Sequence, residues 1–259
     1  MHNNKRAVVL ASTALFVASL FVLNAPAARA ADQQWEQTSP DGLQLTRTLP
    51  YGAIYIKPGA TFEQYKRLAL LDCFVQFAKD WQRNYNQNEP DLEMQVSQGD
   101  MNRIKTELAA EFKRVFTEEL QTDGGYEIVD IAAPDVLILR PAILNLIVNA
   151  PEIDTAPPMS GSVVASAGQM TLYLELWDST TNKILARVID TEADQGQGGL
   201  AEVGNSVGNK EAADRILKNW ADRLRKALET ARAEAPGPAA PTTAPAVPAA
   251  PAPAPAPRP

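Results

Sequence analysis

Three carboxylates at alternate positions, Asp190, Glu192 and Asp194, stand just before a glycine-rich stretch. Oxygen ligands of this kind suit a hard cation such as calcium. The EF-hand spacing fails, because Gln195 replaces the loop glycine and Ala201 replaces the closing glutamate. The trio therefore reads as a solvated strand end, with a metal site as the weaker alternative. The glycines at 196, 198, 199, 204 and 208 do not build a phosphate cradle. No Gly-Lys-Ser/Thr follows them, and no clean G-x-G-x-x-G links a strand to a helix, so a flexible loop is expected. Glu118 and Glu119, and Asp130 with Asp135, are acidic pairs that could serve a carboxylate-only hydrolase, since two acids suffice for glycoside cleavage. No spacing rule fixes their separation, and such pairs are usually solvating surface. Cys73 falls in an apolar run and is expected to be a buried, unreactive thiol, with an intermolecular disulfide as the alternative.

Composition narrows the remaining chemistry. The chain has 259 residues, 24 basic and 31 acidic side chains, one histidine and one cysteine. Its only histidine, His2, lies in a leader-like N-terminus together with Lys5, Arg6 and Arg29, and losing that leader would take the formal charge from −7 to −10. What remains has no imidazole. That excludes a Ser-His-Asp or Cys-His centre, a His/Cys zinc site and a c-type haem motif. A single cysteine excludes an intramolecular disulfide. The acidic balance argues against nucleic acid, whose phosphates need basic surface. No cofactor is expected.

Both ends carry plain signals. Lys5 and Arg6 precede an uncharged apolar stretch over 7–23, Asn24 and Pro26 break it, and Ala28-Arg29-Ala30 is an A-x-A cleavage box. This is the secretory pattern, with cleavage expected between Ala30 and Ala31; retention as a short membrane anchor is the alternative. No cysteine follows the apolar run to take a lipid. A periplasmic or secreted chain with no second membrane segment is expected. Residues 236–259 hold 10 prolines, mostly alternating with alanine, and Arg258 is their only charge. Proline lacks an amide donor and fixes φ, so this tail is expected to be extended and disordered, or a spacer or ligand for a proline-binding groove.

Between the ends, two stretches have helical spacing. Met101, Ile104, Leu108, Phe112, Val115, Phe116 and Leu120 form one stripe, with Asp100 as the expected cap and Gly124-Gly125 as the stop. Ala212, Ala213, Ile216, Leu217, Trp220, Leu224 and Leu228 form a second, with Asn209 as its cap. Strands are expected over 68–77, 126–131, 135–149 (with a bulge or edge at Pro141), 169–178 and 183–193. A shorter apolar alternation covers 51–56, residues 31–50 read as a peripheral arm, and 82–99 read as a loop. The cleanest alternation is 169–178, where Met170, Leu172, Leu174 and Leu176 oppose Thr171, Tyr173, Glu175 and Trp177. Its hairpin register sets Glu175 opposite Arg187 as an exposed ion pair. The expected fold is α+β: a two-layer sandwich of a five-strand, mostly antiparallel sheet with two amphipathic helices on one face, in a single domain over 51–235. Tyr173, Glu175, Trp177 and Arg187 would then lie on the uncovered face as partner-binding candidates, unless the arm folds over them.

The runs IYIKPGATFEQYKRLALLD, FVQFAKDW, GGYEIVDIAAPDVLILRPAI and ELWDSTTNKILARVID resemble a bacterial envelope family catalogued as domain of unknown function 3313, over roughly 51–229. Its members are mostly described as lipoproteins. The resemblance implies an exported envelope protein with a small α+β domain, and it brings no active-site residues. The expected function is a non-enzymatic envelope protein that binds a partner or acts structurally, the partner being an envelope protein or peptidoglycan. The alternative is a carboxylate- or metal-dependent hydrolase acting on envelope material.

Overall fold

A computed structural model describes residues 34–151, 153, 162–164, 168–193, 202–204 and 206–233, with backbone only for 162–164, 202–204 and 206–208. In chain order the strands are β1 (Gln44–Leu49), β2 (Gly52–Ile56), β3 (Arg67–Leu70), β4 (Phe74–Phe77), β5 (Glu127–Ile128), β6 (Val136–Val148), β7 (Ser162–Val164), β8 (Gly168–Asp178), β9 (Ile184–Ala193) and β10 (Glu202–Gly204). The helices are α1 (Trp81–Asn88), α2 (Gln98–Gln121) and α3 (Ser206–Ala233). The mixed α/β architecture is as expected, but the sheet has eight strands instead of five, in the order β1-β2-β9-β8-β6-β3-β5, with β4 also paired to β6. The pairings from β1 through β9 and β8 to β6 are antiparallel, whereas β3, β4 and β5 join in parallel. β7 and β10 form a separate two-stranded sheet, β10 lying within the glycine-rich stretch expected to be loop.

The strand expected over 68–77 is two strands. Leu70 pairs with Leu139 and Phe74 with Ala142, so the β3–β4 side carries one residue more than β6. The Leu71 amide donates to the Leu139 carbonyl at 3.0 Å. In an extended strand the next group facing that edge belongs to residue 141, which is proline and has no N–H to give. The missing donor coincides with the break. On its other edge Pro141 stays in register with Leu174, and the bulge sits later, between Leu144 and Ile147, where Asn145 takes a left-handed φ of 52°. The extra residue also inverts the facing pattern. Leu68 and Leu70 are buried, then Cys73, Val75 and Phe77, while Leu71 and Phe74 turn outward.

The arm over 31–50 is not merely peripheral, since its second half is β1, an edge strand paired with β2. β2 in turn lies so close to β9 that a Cβ on Gly52 would fall 2.1 Å from the Ile189 carbonyl oxygen. α1 lies within the stretch expected to be loop. Its polar sequence has little intrinsic helix preference. Trp81 stacks on Phe77 at 4.4 Å, and the Gln82 and Asn86 amides donate to the Val96 carbonyl, which holds that turn from outside.

The two long helices bear out their stripes. Leu108, Phe112, Val115, Phe116 and Leu120 of α2 share one core cluster with Ile216, Leu217, Trp220 and Leu224 of α3 and with Leu172, Leu174 and Leu176 of β8. α2 begins earlier than expected. Ser97 is its cap, accepting from the Asp100 amide at 3.1 Å, while the Asp100 carboxylate accepts from the Ser97 amide at 2.9 Å. This reciprocal box makes Asp100 the third helical residue. Asn209 likewise lies inside α3 rather than capping it, and its amide reaches back to the Ala150 carbonyl at 2.6 Å.

Candidate functional site

The period-two pattern of β8 puts Thr171, Tyr173, Glu175 and Trp177 on the face away from α2 and α3. Register then arranges cross-strand rows on that face. One runs Phe74, Ala142, Tyr173, Ile189, Ala53; the next runs Arg140, Glu175, Arg187, Tyr55, Leu45. The expected pairing of Glu175 with Arg187 is present at 2.8 Å, but it is not an exposed pair. The two side chains are only 10% and 13% exposed.

Glu175 is the hub of the cluster. It accepts from the Tyr173 hydroxyl at 3.2 Å, the Trp177 indole N–H at 3.2 Å and the Arg187 guanidinium, with Arg140 at 3.7 Å. Arg187 also bridges to Asp41 of the arm at 2.5 Å and lies 5.3 Å from the Tyr173 ring centre. Burial works against the Arg187 charge, but hydrogen bonds to Asp41 and Glu175 outweigh it and hold its pKa above the ordinary value. The same guanidinium holds the Asp41 carboxyl below its ordinary range. Burial raises the Tyr173 phenol. A carboxylate bonded by so many donors is held in place rather than offered to a substrate.

The arm covers part of this face. Leu43, Ala53, Tyr55 and Ile184 form a second small core, with Trp35, Leu45, Trp177 and Ile189 packed against it. The plainer expectation, that the arm folds over both Tyr173 and Trp177, is met only at Trp177. Tyr173 is half-buried at the boundary. Beyond it lies uncovered apolar surface that the sequence did not mark: Phe74 is 60% exposed and Leu71 is 45% exposed. The break between β3 and β4 turns both outward, a shift that the apolar run 68–77 conceals.

The acidic candidates are elsewhere. Asp190 and Glu192 pair with Leu172 and Met170, on the helix side of the sheet. Asp190 is no solvated strand end: it is buried, accepts from the Trp220 indole at 3.0 Å and meets Arg223 at 3.1 Å. Glu192 also pairs with Arg223. Burial raises both carboxyls in spite of that cation. Asp194, the cleavage pair Ala30 and Ala31, the glycines over 196–201 and the tail 236–259 lie outside the described residues. Among the described residues no three His, Cys, Asp or Glu side chains are grouped as for a metal ion. Glu118 pairs with Arg114 at 2.7 Å, and Asp135 takes both arms of Arg67 at 2.6 and 2.8 Å. Cys73 is buried between β3 and β4, and burial pushes its thiol up to about 12. Among the described residues no helix is long and apolar enough to cross a membrane.

No curated protein matches the chain. Among solved structures, a PelC dodecamer from Paraburkholderia phytofirmans is similar at 9% identity, covering 67% of this chain and 97% of that one, with a TM-score of 0.33. A protein from Xanthomonas campestris assigned to DUF330 is similar at 15% identity, covering 68% of this chain and 90% of that one, with a TM-score of 0.36. In sequence, the family described as "Protein of unknown function (DUF3313)" matches residues 36–224, from the arm to the last turns of α3's core stripe, and the chain belongs to that family.

Proposed function

We propose that the chain is a non-enzymatic protein of the cell envelope that docks a partner protein on the part of the sheet left open beside the arm. The exposed Phe74 ring, in one cross-strand row with Ala142 and Tyr173, carries this reading. A large apolar side chain held out on a rigid strand suits burial by a partner, and aromatic residues are enriched at such contacts. The secretory pattern of residues 1–30 supports the envelope, and the capture of Glu118, Asp135, Asp190 and Glu192 by arginines supports the absence of chemistry.

A photoreactive residue placed at position 74 in living cells tests it, with position 218 on the outer side of α3 as the control. The expected result is a covalent adduct with one envelope protein from position 74 and none from 218. Equal adducts from both, an adduct with peptidoglycan alone, or none, would overturn the docking surface. Recovery of the chain from the cytosol with Met1 retained would overturn the envelope assignment.

A further inference from the structure

On the opposite side of the sheet, α2 and α3 do not close over the ends of β6 and β8. They leave a cleft of about 880 Å³, within the range of about 300–1,000 Å³ usual for small-molecule sites. The cleft follows α2 from Arg103 to Arg114, a length of roughly 16 Å at about 1.5 Å per residue. Its shape is therefore long. Leu146 and Met170 form part of the floor, and Ile104, Leu108, Ala213 and Ile216 part of the walls. Charged side chains of both helices, among them Arg103, Glu107, Glu111 and Lys210, also line the cleft. Arg114 ties α2 to α3 there through Asp214 at 2.6 Å.

The mostly apolar lining also holds a buried amide oxygen. Asn209, whose amide nitrogen donates to the Ala150 carbonyl, also borders the cleft. Its Oδ1 is buried and accepts no hydrogen bond among the described residues. A buried acceptor left without a donor is costly, so a donor on an incoming molecule would be favoured at that point. Lys210 beside it lends the rim a cation.

We propose that this cleft binds a single-chain amphiphile, with the acyl chain lying along α2 and a hydroxyl of a glycerol-type head donating to Asn209. Each methylene moved from water to the cleft contributes about 0.8 kcal/mol. An elongated, mostly apolar cleft suits one flexible chain. The occupant takes the helix side of the sheet, so the reading is independent of the docking surface around Phe74.

The full chain, incubated with monopalmitoyl glycerol, should give a saturable one-to-one adduct in native mass spectrometry. Ala213→Trp, which fills the cleft, should abolish it. Asn209→Leu should weaken the glycerol ester by about tenfold, as loss of one buried hydrogen bond implies, and leave the binding of a palmityl chain without a donor unchanged. A diazirine on the acyl chain gives a readout that does not depend on variants. It should label 104–108, 146–148 or 212–216. Absence of a saturable adduct, as when another stretch of this chain fills the cleft, would overturn the proposal. So would labelling confined to the surface around Phe74, or equal loss of both ligands in Asn209→Leu.

Discussion

Arg187 and Asp41 are 146 residues apart in the chain and 2.5 Å apart in the fold. The contact fastens the N-terminal arm to the middle of the sheet, because the same guanidinium also holds Glu175. Asp41 sits at the rim and Glu175 beneath it, so removing either end of this chain of charges has different consequences.

Asp41→Ala should cost about 1 kcal/mol, the scale for an ion pair with one partner at the surface, because Arg187 keeps Glu175 as a second partner. Arg187→Ala should cost about 3 kcal/mol or more, because it leaves the buried Glu175 carboxylate without its main cation. Replacing both Arg187 and Glu175 by leucine should recover much of that loss. Urea unfolding of the four proteins checks the order. The pH dependence has a defined sign. Asp41 has a depressed folded pKa, so its contribution is present above the ordinary carboxylate value of 3.8 and is lost as pH falls through the folded value. Hydrogen-exchange protection over 43–49, taken relative to the intrinsic rate at each pH, should fall on acidification in the wild type and be less pH-dependent in Asp41→Asn.

Asp190 should behave in the opposite sense. Its carboxyl is raised, chiefly by burial, so the stabilisation it gives is full below 3.8 and is lost as pH rises through the folded value. Asp190→Asn keeps an acceptor for the Trp220 indole and removes the buried charge. Its stability at neutral pH should be within about 1 kcal/mol of wild type or above it, and the fall on raising pH should flatten. Asp190→Leu should instead cost about 1–3 kcal/mol, because the Trp220 N–H loses its partner. Thermal unfolding against pH separates the two variants.

The Cys73 thiol should be silent toward thiol reagents in the native protein. It is buried and its pKa is raised to about 12, so almost no thiolate exists near neutrality. Labelling should follow global unfolding and accelerate with urea as the core opens. Rapid modification in native buffer would show that the β3–β4 break opens locally.

Much of this architecture is legible along the chain. The alternation of 169–178 fixes which side of β8 faces the helices, and the apolar spacings of α2 and α3 fix which faces they bury, because side-chain direction in a strand or helix follows from its period. The facing of Glu175 and Arg187 is set by the hairpin together with a one-residue register shift between Leu176 and Trp177, which the turn alone does not show. α1 was not legible, since it is held by Phe77 and the Val96 carbonyl rather than by its own residues.

What local pattern cannot carry is which distant segment lies on top. By themselves the residues determined the hairpin, the two buried helix stripes and the absence of an imidazole beyond residue 30. Only the tertiary structure decided that the arm covers Trp177 while Phe74 stays bare, that Arg223 and Trp220 take up Asp190, and that a cleft remains between α2 and α3. The reason is that burial belongs to the whole packing: a side chain's facing is set by its neighbours in sequence, but its solvent is removed by residues from elsewhere in the chain.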